Sequence, residues 1–189
     1  MNLFPFYQDI EGKQFLVVGA GNVAKQKIAV LLKFTSKGRI RVISPKGEEL
    51  DVPVQKKCFE VEDLNGVDVC IAATSDLDLN TKIAGLCQQR HIPVNVVDVP
   101  ELCSFVFPSI VKDRDLTIAI STNGKCPVVA KYLRQEMEEM LPSNMGEILN
   151  ILGDMRQEMK ERYPLQKDRS AAYFEKLQEL LNEYEEPER

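Results

Sequence analysis

Along the chain, short unbroken apolar runs alternate with stretches of helical spacing. Phe15-Leu16-Val17-Val18 ends at Gly19 and has the form of a strand buried on both faces. Val23 to Phe34 follows, with Val23, Ile28, Leu31 and Leu32 on one helical stripe. Arg39 to Ile43 is rich in β-branched residues and stops at Ser44-Pro45. Val69-Cys70-Ile71-Ala72-Ala73 predicts a further buried strand, Leu79 to Gln88 a helix through Leu79, Ile83, Leu86 and Cys87, and Pro93 to Val97 another strand. This alternation predicts an α/β fold with a doubly wound parallel sheet.

The pattern changes after Asp98. Phe105 to Val111 and Leu116 to Ile120 read as two strands joined by a turn at Lys112-Asp113-Arg114-Asp115. Pro127 opens a helix carrying Val128, Val129, Tyr132, Leu133, Glu136 and Met140. From Asn144 onward the spacing is wholly helical. Asn144 with Glu147 resembles a capping box, and Met145, Ile148, Leu149, Leu152, Met155 and Met159 form a stripe expected to serve as core or interface. Pro164 breaks the pattern before Tyr173, Leu177, Leu180 and Tyr184 repeat it.

Composition narrows the classes. Hydrophobic residues make up 44% of 189, enough for a packed core. No apolar run approaches the ~18 residues of a membrane helix, and the start lacks a basic region followed by an apolar core, so a cytoplasmic protein is expected. With 24 basic and 29 acidic residues the net charge is −5, which disfavours nucleic acid as a partner. Five cysteines, none in a CxxC pair, suit free thiols in a reducing compartment. His91 is the sole histidine, so no Cys/His metal site is expected. Asp9, Asp76, Asp78 and Glu101 have no spacing that selects them as metal ligands.

Gly19-Ala20-Gly21-Asn22-Val23-Ala24 fits G-x-G-x-x-G/A directly after a buried strand and at the start of a helix. Gly19 permits the tight turn, Gly21 lets backbone approach a pyrophosphate, and Ala24 lets helix and strand pack closely. The helix N-terminus then offers free N–H groups to the phosphates. The acidic residue expected ~20 positions on, to hold a ribose 2′-hydroxyl, is missing. Ser44-Pro45-Lys46 stands there instead, and Lys46 would even tolerate a 2′-phosphate, so these residues alone leave NAD and NADP open.

Asn95-Val96-Val97-Asp98, Pro100-Glu101, Phe105 and Pro108-Ser109-Ile110 carry a more specific signal. With them the chain resembles the precorrin-2 dehydrogenase/sirohydrochlorin ferrochelatase family, also the N-terminal part of bifunctional sirohaem synthase. Leu3-Phe4-Pro5-Phe6, Val17 to Ala24 followed by Lys27, Ala72-Ala73-Thr74-Ser75-Asp76 through Asn80, Thr117 to Thr122, and Pro127-Val128-Val129-Ala130 are similar to that family in the same order. The resemblance implies NAD-dependent oxidation of precorrin-2 to sirohydrochlorin in sirohaem synthesis, by a stand-alone homodimer whose chains build the active sites together. It also implies three segments: a Rossmann-type NAD-binding domain at 1–112, a dimerisation strand and helix at 113–142, and a helical domain at 143–189. Cofactor contacts are expected at Gly19, Gly21, Asn22, Val23, Ala24, Pro45, Lys46 and Thr74, and the important aspartate falls on Asp98. Cys126 stands where the family commonly has serine, and a thiol is the poorer hydrogen-bond partner.

A carboxylate at the carboxyl end of a parallel strand is a sensible general base, which suits Asp98. Precorrin-2 carries many carboxylates, so an acidic chain needs local cations. Lys112, Arg114, Lys125, Lys131 and Arg134 supply them, and Cys126 lies among them. Tyr163 and Lys167 imitate a tyrosine–lysine catalytic pair, but Pro164 between them makes the match fortuitous. Two alternatives remain: an enzyme that also inserts Fe²⁺ into sirohydrochlorin, and a dinucleotide-binding sensor or scaffold without turnover.

Overall fold

A computed structural model describes residues 3–46 and 50–185, without the side chains of 184 and 185, so the Tyr184 position of the last stripe lies outside the described residues. The chain forms two compact units, Met1–Phe107 and Pro108–Arg189.

The first unit is built on β1 (Phe15–Val18), α1 (Asn22–Leu31), β2 (Ile40–Ile43), β3 (Val54–Gln55), β4 (Val69–Ala72), α2 (Leu77–Gln89) and β5 (Val94–Val96). All five strands run parallel in the order β3-β2-β1-β4-β5. Every residue of β1 is buried, and the strand's two-residue period divides it between two cores. Leu16 and Val18 pack in the cluster containing Ile83, Ala84 and Cys87 of α2. Phe15 and Val17 pack in the cluster containing Ala24, Ile28 and Leu31 of α1. A helix thus covers each face, as doubly wound sheets require, and each fully buried aliphatic side chain contributes about 1.5–3 kcal/mol. Val23 departs from the expected stripe: it sits in the first turn of α1 and is exposed, while Ala24 takes the buried place.

The edges of the first unit also differ from the reading of the sequence. β3 was not expected, being only two residues long, and forms because Val54 and Gln55 pair with Val42 and Ile43. The apolar run from Phe105 does not begin a strand, which starts only at Ser109. Its preceding residues are instead bound to β5. Ser104 N–H donates to the Val94 carbonyl at 2.9 Å, and Val94 N–H donates to Ser104 Oγ at 2.8 Å. Val96 N–H donates to Cys103 Sγ at 3.1 Å, and the thiol donates back to the Val96 carbonyl at 3.2 Å.

The second unit opens with an antiparallel hairpin of β6 (Ser109–Asp113) and β7 (Leu116–Ile120). It continues with α3 (Pro127–Met140), α4 (Met145–Asp154), α5 (Arg156–Arg162) and α6 (Gln166–Glu185). Ile148 of α4 is fully buried, and Met159 of α5 and Leu180 of α6 are nearly so. On α3 only Ala130 is buried, leaving Val128, Val129, Tyr132 and Leu133 exposed. The expected Asn144 cap is absent, since its side chain makes no capping bond. Asp113 of the hairpin accepts from the Gly146 N–H at 2.5 Å instead. Pro164 separates α5 from α6 as expected, and the Arg169 guanidinium donates to the Tyr163 carbonyl across the break at 3.0 Å.

No helix among the described residues is long and apolar enough to cross a membrane.

Candidate functional site

The turn after β1 is shaped by Gly19, whose φ is +107°. A Cβ there would lie 2.3 Å from the Ala73 carbonyl oxygen, so glycine is needed where the turn crosses the end of β4. Gly21 differs: it is the N-cap of α1 at φ −74°, and a Cβ would meet nothing within 4 Å. No side chain caps α1, and its first turn holds no acidic residue. Lys25 N–H is bonded to the Gly21 carbonyl, so the amides of Asn22, Val23 and Ala24 precede the first helical bond. Asn22 and Val23 are exposed beside this array.

The loop after β4 closes the other side of the turn. Buried Asn80 of α2 grips Thr74: its Oδ1 accepts from the Thr74 hydroxyl at 2.7 Å and from the Thr74 N–H at 3.3 Å. Its Nδ2 donates to the Thr74 carbonyl at 3.0 Å. Asp76 caps α2 by accepting from the Leu79 N–H at 3.0 Å, so this carboxylate already has a structural task. After β2, Ser44 is buried and donates from Oγ to the Lys46 carbonyl at 2.7 Å, with Pro45 and Lys46 exposed. No carboxylate stands among the described residues there, and residues 47–49 lie outside the description.

Asp98 follows the end of β5 by two residues, is exposed, and holds φ +60°. Aspartate is among the few side chains that tolerate this left-handed conformation. Cys103 underpins the turn, since its thiol reaches the carbonyls of both Val96 and Val99. Lys27 of α1 is half-buried, and burial lowers its pKa while the charges of Cys103 and Asp98 oppose that shift.

In the second unit, Lys112 stands on β6 and Arg114 in the turn, which is confined to Arg114-Asp115 rather than beginning at Lys112 as expected, and the Lys112 ammonium donates to the Arg114 carbonyl. Arg114 lies 4.0 Å from Glu147. Lys131 and Arg134 are one turn apart on α3, with Arg134 paired to Glu138 and Lys131 exposed. The Cys126 thiol makes no capping bond at the start of α3. Thr122 does the local work, its hydroxyl donating to the Cys126 carbonyl at 3.1 Å and accepting from the Cys126 N–H at 3.4 Å. The described residues contain no cluster of three or more His, Cys, Asp or Glu fit for a metal.

Residues 6–109 match the family described as "Putative NAD(P)-binding", more than half of the chain's 189 residues. The chain belongs to this NAD(P)-binding family.

Residues 113–140 match a second family, described as "Sirohaem biosynthesis protein central". The siroheme synthase of Zymomonas mobilis subsp. mobilis is 38% identical over 175 residues, 89% of this chain and 37% of that protein. The siroheme synthase of Vesicomyosocius okutanii is 37% identical over 169 residues, covering 86% of this chain and 36% of that protein. The chain therefore spans a little over a third of the length of the curated relatives it matches. The solved structure of SirC, precorrin-2 dehydrogenase, aligns over 97% of this chain and 99% of that one, with a TM-score of 0.71 and 20% identity. It shares the fold of this NAD(P)-binding chain.

The glycine turn fits the dinucleotide that family membership implies. Open space above Gly21, three amides that precede the first helical bond and no acidic side chain in the first turn suit a diphosphate. Two members of this neighbourhood were not assigned a role from the sequence. Asn80 is an asparagine on an otherwise apolar helical stripe, and that misfit was its signal. Lys27 is one of the residues that carried the resemblance, but its type alone gave no signal of a role, because a lysine beside a helical stripe is ordinary.

Proposed function

We propose that the chain is an NAD-dependent dehydrogenase that oxidises precorrin-2 to sirohydrochlorin in sirohaem synthesis. The observation that carries this reading is the placement of the glycine turn and Asp98 at the carboxyl ends of β1 and β5 of one parallel sheet. Open α/β sheets bind and transform ligands at that end. The names of the siroheme synthase relatives and of the structural neighbour supply the substrate.

NAD, when bound, supplies the hydride acceptor. Gly19, Gly21, Asn22, Val23 and Ala24 receive its diphosphate, Pro45 and Lys46 border its ribose, and Thr74 holds the adjoining loop. Asp98 takes the proton that leaves the substrate. Lys112, Arg114, Lys131 and Arg134 answer the substrate's carboxylates, and Cys126 completes that set. The unpaired apolar face of α3 favours a homodimer, and five free cysteines suit a cytoplasmic setting.

The test is NADH formation from precorrin-2, followed by absorbance, in wild type and Asp98→Asn. Removing a general base lowers kcat by ~10²–10⁴-fold with little change in NAD affinity. Asparagine keeps the shape and the left-handed tolerance of aspartate. Near-normal turnover in the variant would refute the role of Asp98.

A further inference from the structure

Three helices of the second unit border a cavity of about 360 Å³, within the ~300–1,000 Å³ range of small-molecule sites. Leu149 and Gly153 of α4 and Arg156 and Lys160 of α5 follow one another at helical spacing, and all four line it. Arg169 and Tyr173, one turn apart on α6, line it as well. The apolar stripe of these helices is thus divided. Ile148 and Met159 are buried, whereas Leu149 is 40% exposed and borders the cavity together with Leu152.

The lining carries three cations and no carboxylate, and none of the three forms an ion pair among the described residues. Arg156 and Lys160 stand four apart on one helix, a like-charge spacing that costs stability when no anion answers it. Arg169 is half-buried, and its Nη1 donates to the Tyr163 carbonyl at 3.0 Å and the Pro164 carbonyl at 3.4 Å. The break at Pro164 thus fixes this guanidinium at the cavity. Its Nε–Nη2 edge, a fork suited to two parallel bonds with a carboxylate, is left over.

Gly153 points the same way. Gly146 of the same helix is required by the fold, because a Cβ there would lie 2.8 Å from the Asp113 carboxylate. At Gly153 a Cβ would meet nothing within 4 Å, and the backbone is not left-handed. Glycine is a poor helix former, and here neither packing nor backbone asks for it. Its effect is to keep the cavity open.

We propose that this cavity binds a small amphipathic carboxylate, a free organic acid whose head meets Arg156, Lys160 and Arg169 and whose apolar body lies against Leu149, Leu152 and the Tyr173 ring. At ~30 Å³ per heavy atom, the share of a water in the liquid, the space holds roughly a dozen such atoms. A tetrapyrrole is far larger, so the site is separate from that of precorrin-2 and independent of the chemistry at Asp98.

The probe is 4-phenylbutyrate, titrated into the full chain by calorimetry and by ¹H–¹⁵N NMR. The expected Kd is about 1 mM or below, with shifted amides confined to α4, α5 and α6 and an affinity that falls as salt rises. Uncharged 4-phenylbutanol and acetate, each carrying half of the ligand, should bind at least about tenfold more weakly. Arg156→Gln combined with Lys160→Gln, both at exposed positions, should weaken binding of the acid by about tenfold or more. Gly153→Leu puts a better helix former into open space, so it should fill the cavity and abolish binding while the melting temperature holds or rises. A wild type that ignores the acid overturns the proposal, as does phenylbutanol binding equally well or affinity unchanged in both variants. Displacement of 4-phenylbutyrate by precorrin-2 assigns the cavity to the tetrapyrrole and overturns the separate site.

Discussion

Neighbouring glycines of one turn should respond to substitution in opposite ways. At Gly19, alanine would keep φ +107° only under strain, worth about 1–3 kcal/mol. Its Cβ would also press to 2.3 Å from the Ala73 oxygen and 2.6 Å from the Ala73 carbonyl carbon, both backbone atoms that cannot rotate away. Overpacking of this kind costs about 1–3 kcal/mol more. The expected loss is about 2–6 kcal/mol, a large part of the ~5–15 kcal/mol that holds a typical domain folded. Gly21→Asp meets open space and places a good N-cap on α1, so stability should hold or rise by up to about 1 kcal/mol. The same carboxylate would face the diphosphate, and repulsion of about 4 kcal/mol per charge pair at 4 Å near a surface lowers NAD affinity by on the order of 10²–10³-fold. Urea denaturation at constant m-value measures the first effect, and calorimetric titration with NAD the second. A Gly19→Ala protein with the wild-type midpoint would refute the crossing-point argument. A Gly21→Asp protein that binds NAD normally would refute the placement of the diphosphate.

Asn80→Ala removes the three bonds it makes to Thr74 and should cost about 2–4 kcal/mol in urea denaturation while loosening NAD binding, since the loop beside Gly19 loses its clamp; a fully stable variant would contradict this. Asp68 accepts from the Gln14 N–H at 2.9 Å and from the Lys13 ammonium at 3.2 Å, which together hold its pKa below the ordinary value. A carboxylate depressed in the folded state contributes stability above its unfolded pKa of ~3.9 and loses it as pH falls through the folded value. The stability gap between wild type and Asp68→Asn should therefore close below about pH 4, and a gap constant down to pH 2 would count against the bond pair. Light scattering at micromolar concentration should give about twice 21.4 kDa, because α3 leaves Val128, Val129, Tyr132 and Leu133 exposed; a lone monomer would refute the dimer.

The parallel sheet was legible because its central strands are buried on both faces, so β1 and β4 read as unbroken apolar runs. The glycine turn was legible for the same local reason: its residues are contiguous, with Gly19 answering a steric demand of the fold and Gly21 leaving room at the helix start. What escaped the sequence depends on partners far along the chain. β3 exists only through pairing with β2. The Gly146 amide is capped by Asp113, 33 residues earlier, so the nearer Asn144 misled. Phe105 to Phe107 is apolar enough for a strand, yet the Phe105 carbonyl is taken by the Asn95 side chain, and the Phe107 ring lies under the Lys27 ammonium and against the Phe105 ring. At Cys126, where the family commonly has serine, the thiol leaves α3 without a side-chain cap, while Thr122, four residues upstream, holds the Cys126 carbonyl and N–H in the loop before the helix.

The attachment of Cys103 and Ser104 to β5 also bears on misassembly. A terminal strand ordinarily presents a row of unpaired amides and carbonyls that can template a foreign strand. On β5 the outward groups of Val94 and Val96 are all consumed, two by a hydroxyl and backbone amide and two by a thiol. At the opposite border β3 offers only two residues, too few to seed a stable pairing. Among the described residues, the hairpin is the place where five-residue strands pair on one side only. Any β-augmentation, by a second copy or by an extended peptide, is therefore directed to β6 or β7, and the nucleotide-binding sheet is left out of such contacts.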